Sequence, residues 1–351
     1  MNKRLNDLID RLAEEHSLPQ EHYRFLIEHR TPEAAARLAE LAVKARKERY
    51  GCAVYIRGLI EISNICRNDC LYCGIRRSNP HCQRYRLTPE EILECCREGD
   101  ALGFRTFVLQ GGEDPFFTDD VLAGLISAIK AEHPDCAVTL SLGERSQESY
   151  RLLRSAGADR YLLRHETADA AHYARLHPAA MSFDNRMRCL HDLKELGYQV
   201  GCGFMVGSPG QTARELAQDL TFVGRFQPDM CGVGPFIPQR ETPLGAEPAG
   251  TLELTCYLLS ILRLIRPNLL LPATTALGSI HPYGREMGIQ AGANVVMPNL
   301  SPASVRKKYA LYDNKLTDGA EAAQCRQELA ARMAAIGYEV VTDRGDVLPA
   351  L

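Results

Sequence analysis

Three cysteines stand in the run Ser63-Asn64-Ile65-Cys66-Arg67-Asn68-Asp69-Cys70-Leu71-Tyr72-Cys73-Gly74. A Cys-x3-Cys-x2-Cys spacing on a loop suits a 4Fe–4S cube held through three of its irons by Cys66, Cys70 and Cys73. The fourth iron then has no protein ligand, and an open iron is a place for chemistry. Two plainer readings compete. Three cysteines and a distant ligand can hold structural zinc, but zinc favours paired Cys-x2-Cys knuckles and no second knuckle follows. Cysteines that only pack a core have no reason to gather in one polar-flanked loop.

Other residues with chemical capacity fall at regular intervals after it. Leu109-Gln110-Gly111-Gly112-Glu113-Asp114-Pro115 offers glycines for close backbone approach and Glu113 as acceptor for an ammonium group. The run Val138–Glu144 carries Thr139, Ser141 and Glu144, with Thr139 and Ser141 on one face of a strand. Tyr161-Leu162-Leu163-Arg164-His165-Glu166-Thr167 ends an apolar stretch in charge. Glu166 suits ribose hydroxyls and Arg164 an anionic substrate; the plainer reading is a surface pair with Thr167 as a helix cap. Arg186 is a candidate carboxylate clamp, or else a solvated helix charge. Met230 reads by default as a core methionine. Thr274 and Thr275 are paired hydroxyls, and Tyr309 and Tyr312 lie three apart, a spacing that presents two phenols from one helical face.

The elements that must position these residues alternate. Apolar strand-like runs span 54–63, 106–110, 137–142, 160–164, 199–205, 230–234, 269–273 and 294–297, with helical patterns between them. Eight such units predict an α/β fold, a parallel (β/α)8 barrel of the TIM type, although an open doubly wound sheet has the same pattern. In such barrels the active site forms at the C-terminal ends of the strands, where every motif above falls. Gly103, Gly157, Gly197 and Gly292 sit where helices should end. We divide the chain into an N-terminal helical segment (1–50), the barrel (51–298) and a C-terminal extension closing it (299–351).

The chain of 351 residues is 45% hydrophobic and 24% charged, as in soluble globular proteins. Its net charge of −3 gives no basic field for nucleic acid. Two short basic clusters, Arg76-Arg77 and Arg306-Lys307-Lys308, read as solvated faces. The 13 cysteines are odd in number, no signal peptide opens the chain, and no run of 18 apolar residues suggests a membrane span. These features predict a reduced, cytoplasmic protein without a disulfide framework.

With Tyr72 before the last cysteine, the motifs together resemble the radical S-adenosylmethionine (SAM) enzymes, and among them the FeFe-hydrogenase maturase HydE family, close to biotin synthase and methylornithine synthase. The resemblance covers about Arg57 to Tyr312. It rests also on Arg84–Ile92, Gly234–Pro238, Pro272–Ala276 and Gly292–Asn299. It implies one 4Fe–4S cluster on Cys66, Cys70 and Cys73, and SAM held by Tyr72, Gln110, Gly111, Gly112, Glu113, Ser141, Glu166 and Arg186. The Gly-rich run Gly201–Thr212 would pack beneath the adenine. Thr139, Arg164, Met230, Thr274, Thr275, Tyr309 and Tyr312 would line the substrate cavity. The implied substrate is a small organometallic or amino-acid-derived molecule, with partner maturases and a flavodoxin or ferredoxin as electron donor. Some members carry three further cysteines for a second cluster. Here those positions hold Thr317, Cys325 and Glu328, so no second cluster is expected.

Overall fold

The computed structural model describes residues 3–317 and 322–349. Helices α1 (Lys3–Glu15), α2 (Gln20–Glu28) and α3 (Pro32–Tyr50) come first. α3 starts where a Thr-Pro pair starts a helix best: the Thr31 hydroxyl accepts from Ala34 N, and Pro32 has no N–H to leave unpaired. α3 then packs along α10 (Leu252–Ile265), a helix buried on nearly all sides.

The centre is a ring of parallel strands. β2 (Gly58–Ser63), β3 (Thr106–Gly111), β4 (Ala137–Ser141), β5 (Arg160–Leu162), β6 (Gln199–Cys202) and β8 (Met230–Cys231) lie side by side in that order. Single bridges continue the ring, from Met230 to Leu270, Pro272 to Val295 and Leu59 to Asn299. β1 (Ala53–Ile56) pairs with β10 (Val295–Val296), which completes the closure. The α/β barrel is therefore present, with helices α4 (Pro89–Ala101), α5 (Asp119–Glu132), α6 (Gln147–Ser155), α8 (Phe183–Glu195) and α9 (Ala213–Phe226) outside it. Gly103, Gly157 and Gly197 follow the ends of α4, α6 and α8 at positive φ, as expected.

Three local departures have physical causes. The first strand is broken at Arg57, because its halves have different neighbours: β2 pairs with β3, whereas β1 pairs with β11 (Glu339–Val341). The seventh strand makes only bridges, since Pro272 has no N–H to offer a ladder. The helical face expected for Tyr309 and Tyr312 does not form. Residues 309–317 are irregular, because the carbonyls a helix would use are taken: Lys308 O accepts from Asn64 Nδ2 and Leu311 O from Gly74 N.

The N-terminal end of the barrel is plugged by the chain's last described residues. Buried Arg160 donates from Nη2 to Arg344 O (2.8 Å) and Asp346 Oδ1 (2.6 Å), and from Nη1 to Thr106 Oγ1 (2.9 Å). Gln199 Nε2 reaches the same Asp346 oxygen at 2.8 Å, and Arg344 bonds both Asp346 and Asp159. This leaves the other end open to function. Among the described residues no helix is long and apolar enough to cross a membrane.

Candidate active site

The cysteine loop follows β2 and has no regular structure of its own, so side chains must hold it. Arg84 does most of this. Its Nη1 donates to Asn64 O (2.6 Å) and Ile75 O (2.7 Å), and its Nη2 to Arg76 O (2.6 Å), joining both ends of the loop. Asn64 accepts from Tyr85 N (2.7 Å) and donates to Gln83 O and Lys308 O (both 2.8 Å). Arg86 holds Asp114 through two bonds of 2.7 Å, and Ser63 donates to the same carboxylate. Burial alone would raise Asp114, but Arg86 and Ser63 keep it below the usual carboxylate range.

The thiols of Cys66, Cys70 and Cys73 are free and half-buried. Cys66 Sγ accepts from Asn68 N and Glu113 N, each at 3.4 Å. Gly112 makes this approach possible: a Cβ there would lie 2.3 Å from Ile65 O and 2.8 Å from Cys66 Cβ. Burial first, and then the charge of neighbouring thiols, pushes Cys70 and Cys73 up: Cys73 and Cys66 act on Cys70, and Cys66 acts on Cys73, which rises to about 12. Three neighbouring thiolates in such a place need a strongly cationic partner, and N–H groups on sulfur suit thiolate ligands. The donor set therefore fits an iron–sulfur cluster. Among the described residues no three His, Cys, Asp or Glu side chains converge on a single-ion position; a cube instead takes each thiolate on a separate iron.

Beside the loop, at the C-terminal end of the barrel, lies a cavity of about 340 Å3. That is within the range of small-ligand sites. Tyr72, Cys73, Gln110, Gly111 and Ser141 face it from the first three strand ends and the loop. Arg164, Glu166 and Arg186 contribute charge, Met230, Thr274 and Thr275 line the far strands, and Tyr309 and Tyr312 come from the segment after the barrel. Sequence positions spread over 240 residues thus meet in one chamber.

Glu166 has left-handed backbone, at φ +65°, unusual for a residue with a side chain. Its N–H donates to Gly203 O at 3.0 Å. The neighbouring His165 accepts from Gly203 N through Nδ1 (3.3 Å) and donates through Nε2 to Asp219 Oδ1 (3.2 Å), which also takes Ala168 N (2.6 Å). Burial pushes His165 down to about 3, so it is neutral and its two nitrogens keep these separate roles. The result aims Glu166 and Arg164 into the cavity as an ion pair of 3.2 Å. The pair is loosely made. Arg164 Nε and Nη2 and Glu166 Oε2 are buried without an aligned hydrogen bond, as is Thr274 Oγ1. Such open polar atoms are where a ligand adds bonds at little cost.

Other expected residues are placed differently. Arg186 lines the cavity but already holds Glu144 Oε1 at 2.5 Å and Arg164 O at 2.6 Å. Burial would lower the guanidinium, and Glu144 more than offsets it, so Arg186 stays charged. Glu113 does not line the cavity. Its carboxylate holds Arg67 (2.8 Å) and accepts from Glu144 N (3.0 Å), facing an adjacent cleft of about 630 Å3. Thr139 shares the face of Ser141 but is buried below the chamber, its hydroxyl without a partner. Cys325 is half-buried at the start of α14 (Arg326–Ala335).

Sequence reasoning missed Arg57, Glu61 and Lys315, all of which line the cavity. Lys315 bonds Glu61, donates to Tyr309 O at 3.1 Å and lies 4.9 Å over the Tyr309 ring. Arg57 Nη1 reaches Met230 Sδ at 2.7 Å. The available signal was a charge inside an apolar strand, as in Leu59-Ile60-Glu61-Ile62.

The comparisons with known proteins agree with this geometry. The family profile described as Radical SAM superfamily matches residues 60–223. The chain is 49% identical over 279 residues to the [FeFe] hydrogenase maturase subunit HydE of Thermotoga maritima, covering 80% of this chain and 79% of that protein. It is 32% identical over 317 residues to 3-methylornithine synthase of Methanosarcina barkeri, covering 89% and 88%. The crystal structure of methylornithine synthase (PylB) is similar at a TM-score of 0.83 with 27% identity, over 95% of this chain and 97% of that one. The structure of the maturase HydG shares the fold at a TM-score of 0.81 and 20% identity, over 96% and 76%.

Proposed function

The chain belongs to the radical SAM superfamily and, within it, to the HydE family, and from that premise we propose that it is a maturase of [FeFe] hydrogenase. In this reading it reductively cleaves SAM and applies the 5′-deoxyadenosyl radical to an iron–carbonyl–cyanide–cysteine precursor, toward the di-iron subcluster. Partner maturases deliver the precursor, and a flavodoxin or ferredoxin supplies electrons. The observation that carries it is one chamber in which Cys73 meets Arg164, Glu166 and Arg186.

When bound, a 4Fe–4S cluster supplies an electron and an open iron for cleavage of SAM. The chain's own residues do the rest. Cys66, Cys70 and Cys73 hold three irons. Ser141, Glu166 and the Gln110–Gly112 run orient SAM, Glu166 through its ribose, and Glu113 takes the ammonium of SAM once released from Arg67. Arg186 serves the carboxylate of SAM with the donor capacity that Glu144 leaves. Arg164 binds an anionic precursor, its fork matched to a carboxylate. Thr274, Thr275, Met230, Tyr309 and Tyr312 shape the chamber around it, with Thr139 buried beneath. Residues 51–298 carry the chemistry, with 1–50 and 299–351 as buttress and closure.

The deciding experiment is activation of apo-hydrogenase in a defined maturation mixture lacking HydE. Addition of this protein should restore hydrogenase activity. SAM cleavage without maturation would sink the reading. The similarity to 3-methylornithine synthase supports a second one, a mutase of a small amino acid, and rearrangement of such a substrate in the failed mixture would favour it.

A further inference from the structure

Arg57, Leu59 and Glu61 alternate along the first strand, and all three line the cavity. Glu61 is fully buried, and a buried carboxylate needs partners. It has one on each oxygen: Lys315 Nζ on Oε1, and Asn299 Nδ2 on Oε2 at 2.9 Å. The Lys315 side chain is only 8% exposed and lines the same cavity. An ammonium has three N–H donors. Glu61 and Tyr309 O (3.1 Å) take two, and no other acceptor among the described residues takes the third. The Tyr309 ring, centred 4.9 Å from Nζ, is a weaker substitute. The other acid of the chamber, Glu166, already faces Arg164. Arg57 hydrogen-bonds Met230 Sδ (2.7 Å) and Gly345 O (3.4 Å) rather than an acid. The chamber thus has no unpaired acid for an incoming cation, while one ammonium keeps a donor for an incoming acceptor.

We propose that Lys315, latched to Glu61, is a specificity-determining residue of the chamber. Arg164 follows β5 and Glu61 lies on β2, with β3 and β4 between them in the ring. The two cations therefore address different ends of one small molecule. The substrate class is an amino-acid-derived molecule with a carboxylate for Arg164 and, at its far end, an anionic or neutral acceptor for Lys315. A diamino acid is turned away, because its distal ammonium meets Lys315 and finds both oxygens of Glu61 taken. Selection of this kind comes as much from the like charge set against the wrong ligand as from the bond made to the right one. The inference rests on the radical SAM reading above and deepens it. A precursor whose carbonyl and cyanide ligands are acceptors fits Lys315; a mutase substrate ending in an ammonium does not.

The test is calorimetric and needs no turnover. The reconstituted protein is saturated with S-adenosylhomocysteine, which fills the SAM position without being cleaved. It is then titrated with L-glutamate and with L-ornithine, which match in length and differ in the sign of the distal group. The wild type should bind glutamate about tenfold or more tighter than ornithine, the worth of a charge-assisted bond. The double variant Lys315→Met with Glu61→Gln removes both charges together, so that neither is left buried alone. Its preference should fall to about twofold or less, with circular dichroism as the check on folding. Equal affinities in the wild type, no binding of glutamate, or an undiminished preference in the double variant would each overturn the assignment. A pair that only ties the closing segment to the first strand would give one of these. If the double variant does not fold, the wild-type comparison decides alone. The maturase reading is judged separately, in the apo-hydrogenase mixture. Glutamate preference without maturation would remove that reading and keep Lys315, and maturation without the preference would do the reverse.

Discussion

The two ends of the barrel both bury arginine, to opposite ends. At the plugged end, Arg160 has its donors placed on Arg344 O, Asp346 and Thr106, and Asp346 is shared with Gln199 and Arg344. At the open end, Arg164 and Glu166 face each other with polar atoms left over, and Glu166 sits in left-handed backbone. One network is complete within the chain; the other is complete only with something added. Residue type does not distinguish them. Satisfaction does, and it follows the rule that barrels keep stability at one face and chemistry at the other.

That contrast can be broken by substitution. The largest effect belongs to the open end: Cys70→Ala should take iron in the reconstituted protein from about four per chain to near none, with SAM cleavage abolished and circular dichroism unchanged. A variant that retained its iron would remove the loop from the site. At the plugged end, Asp346→Asn leaves Arg160 buried without its carboxylate and should cost about 2 kcal/mol in urea unfolding, below the range of about 3 to 5 kcal/mol for a broken buried pair because Asp346 is partly exposed. Burial would raise Asp346, but Arg344 and Arg160 hold it well below the usual carboxylate range. Its contribution is therefore full above the unfolded value near 4 and is lost as pH falls toward the folded one. The wild type should lose stability between about pH 4 and pH 2 more steeply than Asp346→Asn; parallel curves would refute the assignment. Back at the open end, Arg164→Ala should leave iron content and basal SAM cleavage intact and cut maturation by about 10- to 100-fold, the worth of a charge-assisted bond. Equal loss of both activities would deny Arg164 a substrate role.

Legibility in the sequence divides along a different line, that of distance along the chain. The cysteine spacing, the alternation of strand and helix and the glycines that end helices are local patterns, and Gly103, Gly157, Gly197 and Gly292 all stand at positive φ after a helix end. The plug was not legible, because Arg160 and Asp346 lie 186 residues apart. Lys315 and Glu61 are separated by 254 residues, and only the closed ring brings them together. Arg186 was readable as a carboxylate clamp. That its first carboxylate is Glu144 of the same chain was not, since the strand-to-helix loops that juxtapose them have no sequence period. The phenols of Tyr309 and Tyr312 reach the cavity for a reason other than helical spacing: the cysteine loop captures the carbonyls of their segment.

The strain at Glu166 offers the finest test of the contrast, because it separates backbone from charge. A side-chain residue held at positive φ costs about 1 kcal/mol or somewhat more, and glycine does not bear that cost. Glu166→Gln keeps the strained backbone and removes the carboxylate. Glu166→Gly removes both. If the open end accepts strain to aim a carboxylate at SAM, the two variants should weaken SAM binding alike, while glycine is the more stable by about 1 kcal/mol in urea unfolding. The gain is reduced by the wider unfolded ensemble of glycine, which opposes it by a few tenths of a kcal/mol. Glycine no more stable than glutamine would mean that Gly203 and the His165–Asp219 pair hold this turn without strain. Undiminished SAM affinity in both would mean that the carboxylate is aimed at something other than SAM. Either result would leave the mouth of the barrel as self-sufficient as its floor.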